Sequence, residues 1–230
     1  MSLPTAQVRS VLYVRLPVWK IWPGGVVYLA DYIHKQRPHI HQEILDLAVI
    51  PADQRKTALI ARLLALKPDV VAFSWRNMQT FGPHPENDAL DVVMNFDHSP
   101  NPWKRLKAAW QATGIIIDYA LQRASNFGYL KLIRRLLPQS RLVVGGTAVS
   151  IFGKYIAQRC PNDTIVVVGE GEEAMLAIVD GFTKPAGNYY HKDSLGQVHH
   201  HPAEDNFHLP QLSAVDFSYI ASIFPAFGDY

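Results

Sequence analysis

Five short apolar runs alternating with helical patterns predict an α/β fold for this sequence of 230 residues. The expected form is a doubly wound, flavodoxin-like (Rossmann-like) five-stranded parallel sheet with an irregular C-terminal extension. Three observations carry that expectation. The runs are rich in β-branched residues and show little polar alternation, as strands covered on both faces do. The segments between them are long enough for right-handed crossovers. A composition of 48% hydrophobic and 18% charged residues fills a sizeable core and excludes disorder throughout the chain.

Taken in order, "RSVLYVRL" (9–16) reads as the first strand. After the loop "PVWKIWPGG", "GVVYLADYIHKQ" reads as a helix with Val26, Val27, Leu29, Ala30 and Ile33 on one face. "HQEILDLAV" (41–49), which contains Asp46, is strand two, and "PADQRKTALIARLLALKP" a helix with Pro51 and Asp53 near its start. "DVVAFSW" (69–75) is strand three. The rhythm then breaks, because the segment to about 113 is long for a βα connection. Short helical pieces are expected around 87–95 and 101–112, and a further helix from about 115 to Leu137. "SRLVVGG" (140–146) is strand four and "SIFGKYIAQRC" its helix. "DTIVVVGEG" (163–171) is strand five, and "EEAMLAIVDG" a helix that Gly181 can close. An order 2-1-3-4-5 places a ligand at the C-terminal strand ends, near the switch between strands one and three.

Beyond residue 181 no long periodic helix continues, so 1–181 reads as the sheet domain and 182–230 as a connector or arm. Within it "GNYYHKDSLGQVHH" suggests a small hairpin around Ser194–Gly196. The balance of 22 basic and 20 acidic residues gives +2 without long runs, and no nucleic-acid module accompanies it. Cys160 is the single cysteine, which excludes a disulfide framework and a multi-thiolate metal site, and it reads as a buried inert thiol. No secretory leader pattern and no apolar stretch of about 20 residues occurs. A cytoplasmic protein without a membrane span is the expectation.

Glycines mark three strand ends: Gly24 and Gly25 at the first crossover, Gly145 and Gly146 after strand four, Gly169 and Gly171 after strand five. They either close tight turns or let backbone approach a bulky flat ligand. Ser74, Arg76, Asn77 and Gln79 bring hydrogen-bonding groups to the third strand end. Nucleotide motifs fit poorly. No P-loop occurs, the first strand lacks G-x-G-x-x-G, and the glutamates of "GEGEEA" oppose a pyrophosphate. No G-x-S-x-G elbow supports a nucleophile, and no catalytic residue is assigned. His199, His200 and His201 alternate faces on a strand, so the run reads as a solvated strand end rather than a metal site. Arg134 and Arg135, like Lys104, Arg105 and Lys107, read as solvated helix faces. Trp103 and Trp110, seven apart, read as core cover, with a docking surface as the alternative.

The order of "WPGGVVYLADYI", "KPDVVAFSW", "PQSRLVVGGTAVS" and "TIVVVGEGEEAMLAIVDG" resembles the N-terminal cobalamin-binding domain of B12-dependent radical SAM enzymes. "GNYYHKDSLGQVHHHP" followed by "LPQLSAVDF" is similar to that family's connector into its catalytic barrel. The resemblance spans roughly residues 10–230. It implies a corrinoid across the C-terminal edge of the sheet, contacted by Trp22, Gly24, Gly25, Ser74, Arg76, Asn77, Gln79, Gly145, Gly146, Thr147, Gly169, Glu170, Gly171 and Glu172. It implies that Ser74 and Thr147 bond the ligand's amides, while Glu170 and Glu172 accept from amide N–H groups or cap a helix. The D-x-H-x-x-G motif that brings histidine to cobalt is missing, which leaves Arg76, Asn77 or Gln79 for the lower face. The C-x-x-x-C-x-x-C cluster motif is also missing. A [4Fe-4S] cluster and S-adenosylmethionine therefore enter only through a catalytic domain beyond this chain. Residues 80–113 and 205–230 are the expected surfaces for such a domain or a protein partner. The alternatives are a degenerate Rossmann-like partner-binding or assembly protein that has lost corrinoid binding, and an enzyme using another nucleotide cofactor.

Overall fold

The computed structural model describes residues 8–17, 22–76, 89–181, 187–202 and 213–230. Five strands run parallel: β1 (Ser10–Arg15), β2 (His41–Asp46), β3 (Val70–Ser74), β4 (Arg141–Gly145) and β5 (Thr164–Val168). Two more, β6 (Asn188–Lys192) and β7 (Val198–His201), continue the same sheet antiparallel to β5. The order is β2-β1-β3-β4-β5-β6-β7, so among the described residues the sheet has seven strands and is mixed, where the sequence predicts five parallel ones. The described part of the C-terminal extension, 187–202 and 213–230, correspondingly includes two strands and a helix, where the sequence predicts an irregular arm. A five-residue turn, 193–197, joins β6 to β7, with Asp193 Oδ1 accepting from the backbone N–H of Leu195 and Gln197.

Alternation along the strands splits the core in two, because neighbouring side chains point to opposite faces. Leu12 and Val14 of β1, with Val71, Phe73 and Val144, pack beneath α2 (Arg55–Leu66), the C-terminal part of α4 (Pro102–Leu136) and α5 (Thr147–Arg159). Val11 and Tyr13, with Val70, Ala72, Val143 and Val167, pack beneath α1 (Gly24–Gln36), α6 (Glu172–Val179) and α7 (Phe217–Ile223). Helices on both faces are what uniformly apolar strands require.

A buried polar network ties α7 to the sheet. Tyr13 donates to Gln42 Oε1 at 2.8 Å, and Gln42 Nε2 donates to the Ala30 carbonyl and to the Tyr219 hydroxyl. Asp31 and Lys35 of α1 hold the approach to α7. Asp31 Oδ1 accepts from Asp216 N–H, and Lys35 Nζ donates to Ser213 Oγ. Asp216 caps α7 by accepting from the N–H groups of Ser218 and Tyr219.

The segment between β3 and β4 departs from expectation in three ways. α3 (Ala89–His98) precedes one continuous α4 of 35 residues, where two separate helices are predicted. Asn101 caps α4 by accepting from Trp103 N–H, and Pro102 occupies its first position. Trp103 and Trp110 are 77% and 80% exposed, so they do not cover the core. Arg134 is not a solvated side chain. It donates to the carbonyls of Pro138, Ser140 and Asp163, staples α4 to the turns before β4 and β5, and has its pKa lowered by burial.

Candidate functional site

A cavity of about 320 Å³ lies at the C-terminal strand ends, between the first turns of α1 and α6. Its floor is Tyr13, Ala72, Val143 and Val167, one residue from each of four adjacent parallel strands on the same sheet face. Ala72 is the small member of that row. Gly25, Val26 and Leu29 of α1 form one wall and Met175 of α6 another. The rim is built from Ser74, Gly145, Gly146, Thr147, Ser150, Gly169, Glu170, Gly171 and Glu172.

Three helices begin beside the cavity, α1, α5 and α6, and none has a side-chain cap. Their first N–H groups are the donors a helix start leaves without an intrahelical partner. The two glutamates in the first turn of α6 complement its dipole.

Gly146 and Gly25 contribute in different ways. Gly146 has φ +102, and a Cβ there would stand 2.8 Å from the Trp75 carbonyl oxygen. The same Trp75 pairs with the strand end, its N–H donating to the Gly145 carbonyl at 2.8 Å and its own carbonyl accepting from Ala148 N–H. Gly146 is therefore required by the packing of β3 against the start of α5. A Cβ at Gly25 meets nothing within 4 Å. Its bare backbone keeps the cavity wall open.

Glu172 is the buried polar group of the site, 8% exposed, and its Oε2 has no hydrogen-bond partner among the described residues. Burial raises its pKa first, backbone N–H bonds at the helix start oppose that, and neighbouring Glu170 adds to the rise. Ser150 Oγ accepts from Gly169 N–H at 3.2 Å and ties the turn after β5 to α5.

The sequence-predicted residues divide accordingly. Gly25, Ser74, Gly145, Gly146, Thr147, Gly169, Glu170, Gly171 and Glu172 come together around the cavity. Trp22 and Gly24 are not part of its lining. The Trp22 ring packs instead against Phe217, Phe224, Phe227 and Tyr230. Arg76 is exposed beyond β3 and also stands outside the lining, while Asn77 and Gln79 lie outside the described residues. Sequence reasoning passed over Leu29, Ser150 and Met175, whose helical positions give no sign of a ligand edge. It also passed over Ala72, whose small size in an otherwise bulky strand was a usable signal.

Among the described residues, no group of three His, Cys, Asp or Glu side chains is placed to hold a metal ion. His199 bonds Asp193 at 2.8 Å, His200 bonds Asn188, and His201 stacks on Tyr189. Cys160 is buried, with its thiol pushed up to about 12 by desolvation. No described helix is long and apolar enough to cross a membrane.

This architecture occurs in solved structures. TsrM, a radical S-adenosylmethionine methyltransferase from Kitasatospora setae solved with cobalamin and a [4Fe-4S] cluster bound, matches with a TM-score of 0.57 at 19% identity. That match covers 90% of this chain and 31% of TsrM. The same enzyme with tryptophan substrate and a SAM analogue matches at TM-score 0.54 and 18% identity, over 82% of this chain and 29% of that one. OxsB, a cobalamin-dependent S-adenosylmethionine radical enzyme, matches at TM-score 0.48 and 18% identity, over 94% of this chain and 25% of that one. The likeness is one of fold. This chain spans 25% to 31% of the length of those proteins. No protein-family model matches the sequence, and no curated protein matches it.

Proposed function

We propose that this chain is a cobalamin-binding domain that holds a corrinoid across the C-terminal edge of its sheet. The observation that carries the reading is the cavity walled by bare glycine backbone at four parallel strand ends. At about 320 Å³ it is too small for a whole corrinoid, so the nucleotide tail enters and the ring rests on the rim. Gly25, Gly145, Gly169 and Gly171 let the ligand approach backbone, and Ser74 and Thr147 bond its amides. Glu172 supports the same reading. A buried carboxyl oxygen without a partner needs a donor, and a corrinoid presents many amide N–H groups.

Trp22, Gly24 and Arg76 are proposed at the periphery, beside the ring rather than in the cavity, and Asn77 and Gln79 are kept as proposed ligand contacts. Without a D-x-H-x-x-G motif, no histidine from that source reaches cobalt. A bound corrinoid would supply one-carbon or radical chemistry to a catalytic domain beyond this chain, and the residues here hold and orient it. A [4Fe-4S] cluster and S-adenosylmethionine enter only if such a catalytic domain exists.

Hydroxocobalamin mixed with the chain and passed through gel filtration tests the reading by its visible spectrum. Co-elution near one equivalent is expected. No co-eluting corrinoid under oxidising or reducing conditions would overturn it and favour a partner-binding protein that keeps the fold alone.

A further inference from the structure

The exposed side of α4 carries an apolar seam. At 100° per residue, Ala108, Ala112 and Ile115 fall on one side of the helix, each buried or half-buried, and α4 packs against α3. Trp103, Leu106, Trp110, Ile117 and Leu121 fall on the opposite side at spacings of three, four, seven and four, and each is more than half exposed. A helix with an apolar face on each side is built to be packed twice. The uncovered side offers on the order of 700 Å², above the largest patch of a typical monomer and close to one partner's share of a standard interface.

We infer that this face is a homodimer interface, in which α4 packs antiparallel against α4 of a second copy about a twofold axis near Thr113 and Gly114. Self-complementarity singles out the second copy. With the axis there, Trp110 lies across from Ile117, Leu106 from Leu121, and bulky Trp103 from small Ala124. A twofold interface repeats each of these contacts. Lys107 and Asp118, both exposed on the same flank of the seam, meet their opposites in the partner twice over. Gly114 fits the axis. Glycine in a helix interior costs about 1 kcal/mol relative to alanine, and a Cβ at 114 meets nothing in its own chain. Absence of a side chain there serves the close approach of another backbone.

The inference is independent of corrinoid binding, since the seam lies on α4, which contributes nothing to the cavity lining. Sedimentation equilibrium of the 230-residue chain tests it, with twice the monomer mass of 25.9 kDa expected. Trp110→Lys with Ile117→Lys places four ammonium groups in the seam and should return the monomer with an unchanged circular dichroism spectrum. Gly114→Cys should form a disulfide-linked dimer on mild oxidation, while Trp103→Cys, far from its own copy, should not. A monomer at every concentration overturns the inference and leaves the seam to a different protein. So does a folded double-lysine variant that stays dimeric, or Trp103→Cys cross-linking as readily as Gly114→Cys.

Discussion

Arg15 and Asp46 form a buried ion pair at the ends of adjacent parallel strands, with Nη1 2.7 Å from Oδ2. The two residues are register partners on β1 and β2, and their side chains are almost fully removed from solvent. Tyr230 brings the last residue of the chain to this pair, donating its hydroxyl proton to Asp46 and accepting from Arg15. Burial foremost, and then Asp46, raises the pKa of that hydroxyl. Removing Asp46 takes the carboxylate away from a buried guanidinium, whereas removing the Tyr230 hydroxyl loses two bonds of a neutral group and leaves the ion pair in place. Asp46→Ala should therefore destabilise by about 3–5 kcal/mol and Tyr230→Phe by about 1–3 kcal/mol in urea denaturation. Equal effects would mean that the pair contributes no more than its hydroxyl neighbour.

Much of the fold was legible because burial on both faces leaves a local trace. β1, β3, β4 and β5 read as strands from their apolar runs alone, and the order of the first five strands follows from the winding rule. The attachment of β6 was not legible. The hairpin signal at 188–201 is the same whether the hairpin stands free or pairs with β5. Trp103 and Trp110 show a related ambiguity, since heptad spacing describes an apolar face and not what covers it. The aromatic packing of Trp22 was not legible because its partners lie about 200 residues away, at Phe217 to Tyr230. Around the cavity the glycines were visible in sequence, but which of them faces open space was not.

Gly25 and Gly146 should separate under substitution. Gly25 opens onto the cavity with room for a side chain, and as the second residue of α1 it gains helix propensity on replacement. Gly25→Leu should keep or slightly raise the melting temperature while weakening cobalamin binding at least tenfold by the spectral titration. Gly146→Ala meets the Trp75 carbonyl and forces an unfavourable φ, with about 1–3 kcal/mol from the backbone alone. It should lower the melting temperature whether or not cofactor is present. If Gly25→Leu binds normally, the tail does not occupy this cavity.

Cys160 should behave as a core residue. It is 2% exposed, its thiol is held near 12, and its carbonyl accepts from Lys192 Nζ at 2.8 Å. The thiolate is the reactive form, so at pH 8 alkylation should run roughly a thousandfold slower than for a free thiol. Iodoacetamide labelling followed by mass spectrometry checks this, and full reactivity should return in denaturant. Rapid labelling of the native chain would show that the α5 end opens.

Glu172 gives the cavity a pH signature. Its pKa stands above the ordinary 4.5, so across the interval between those values the folded chain holds a proton that the unfolded chain has lost. Stability of the cofactor-free chain should therefore fall as pH rises through that interval, and Glu172→Gln should flatten the slope. Cofactor binding should run the other way. An ionised carboxylate accepts amide N–H bonds more strongly than a protonated one, so cobalamin affinity should rise with pH over the same interval. Titrating both proteins across it, by urea denaturation without cofactor and by absorbance with it, yields two slopes of opposite sign in the native chain. In Glu172→Gln both slopes should be lost. A binding slope that survives the substitution would place the titrating group elsewhere and remove Glu172 from the proposed contacts.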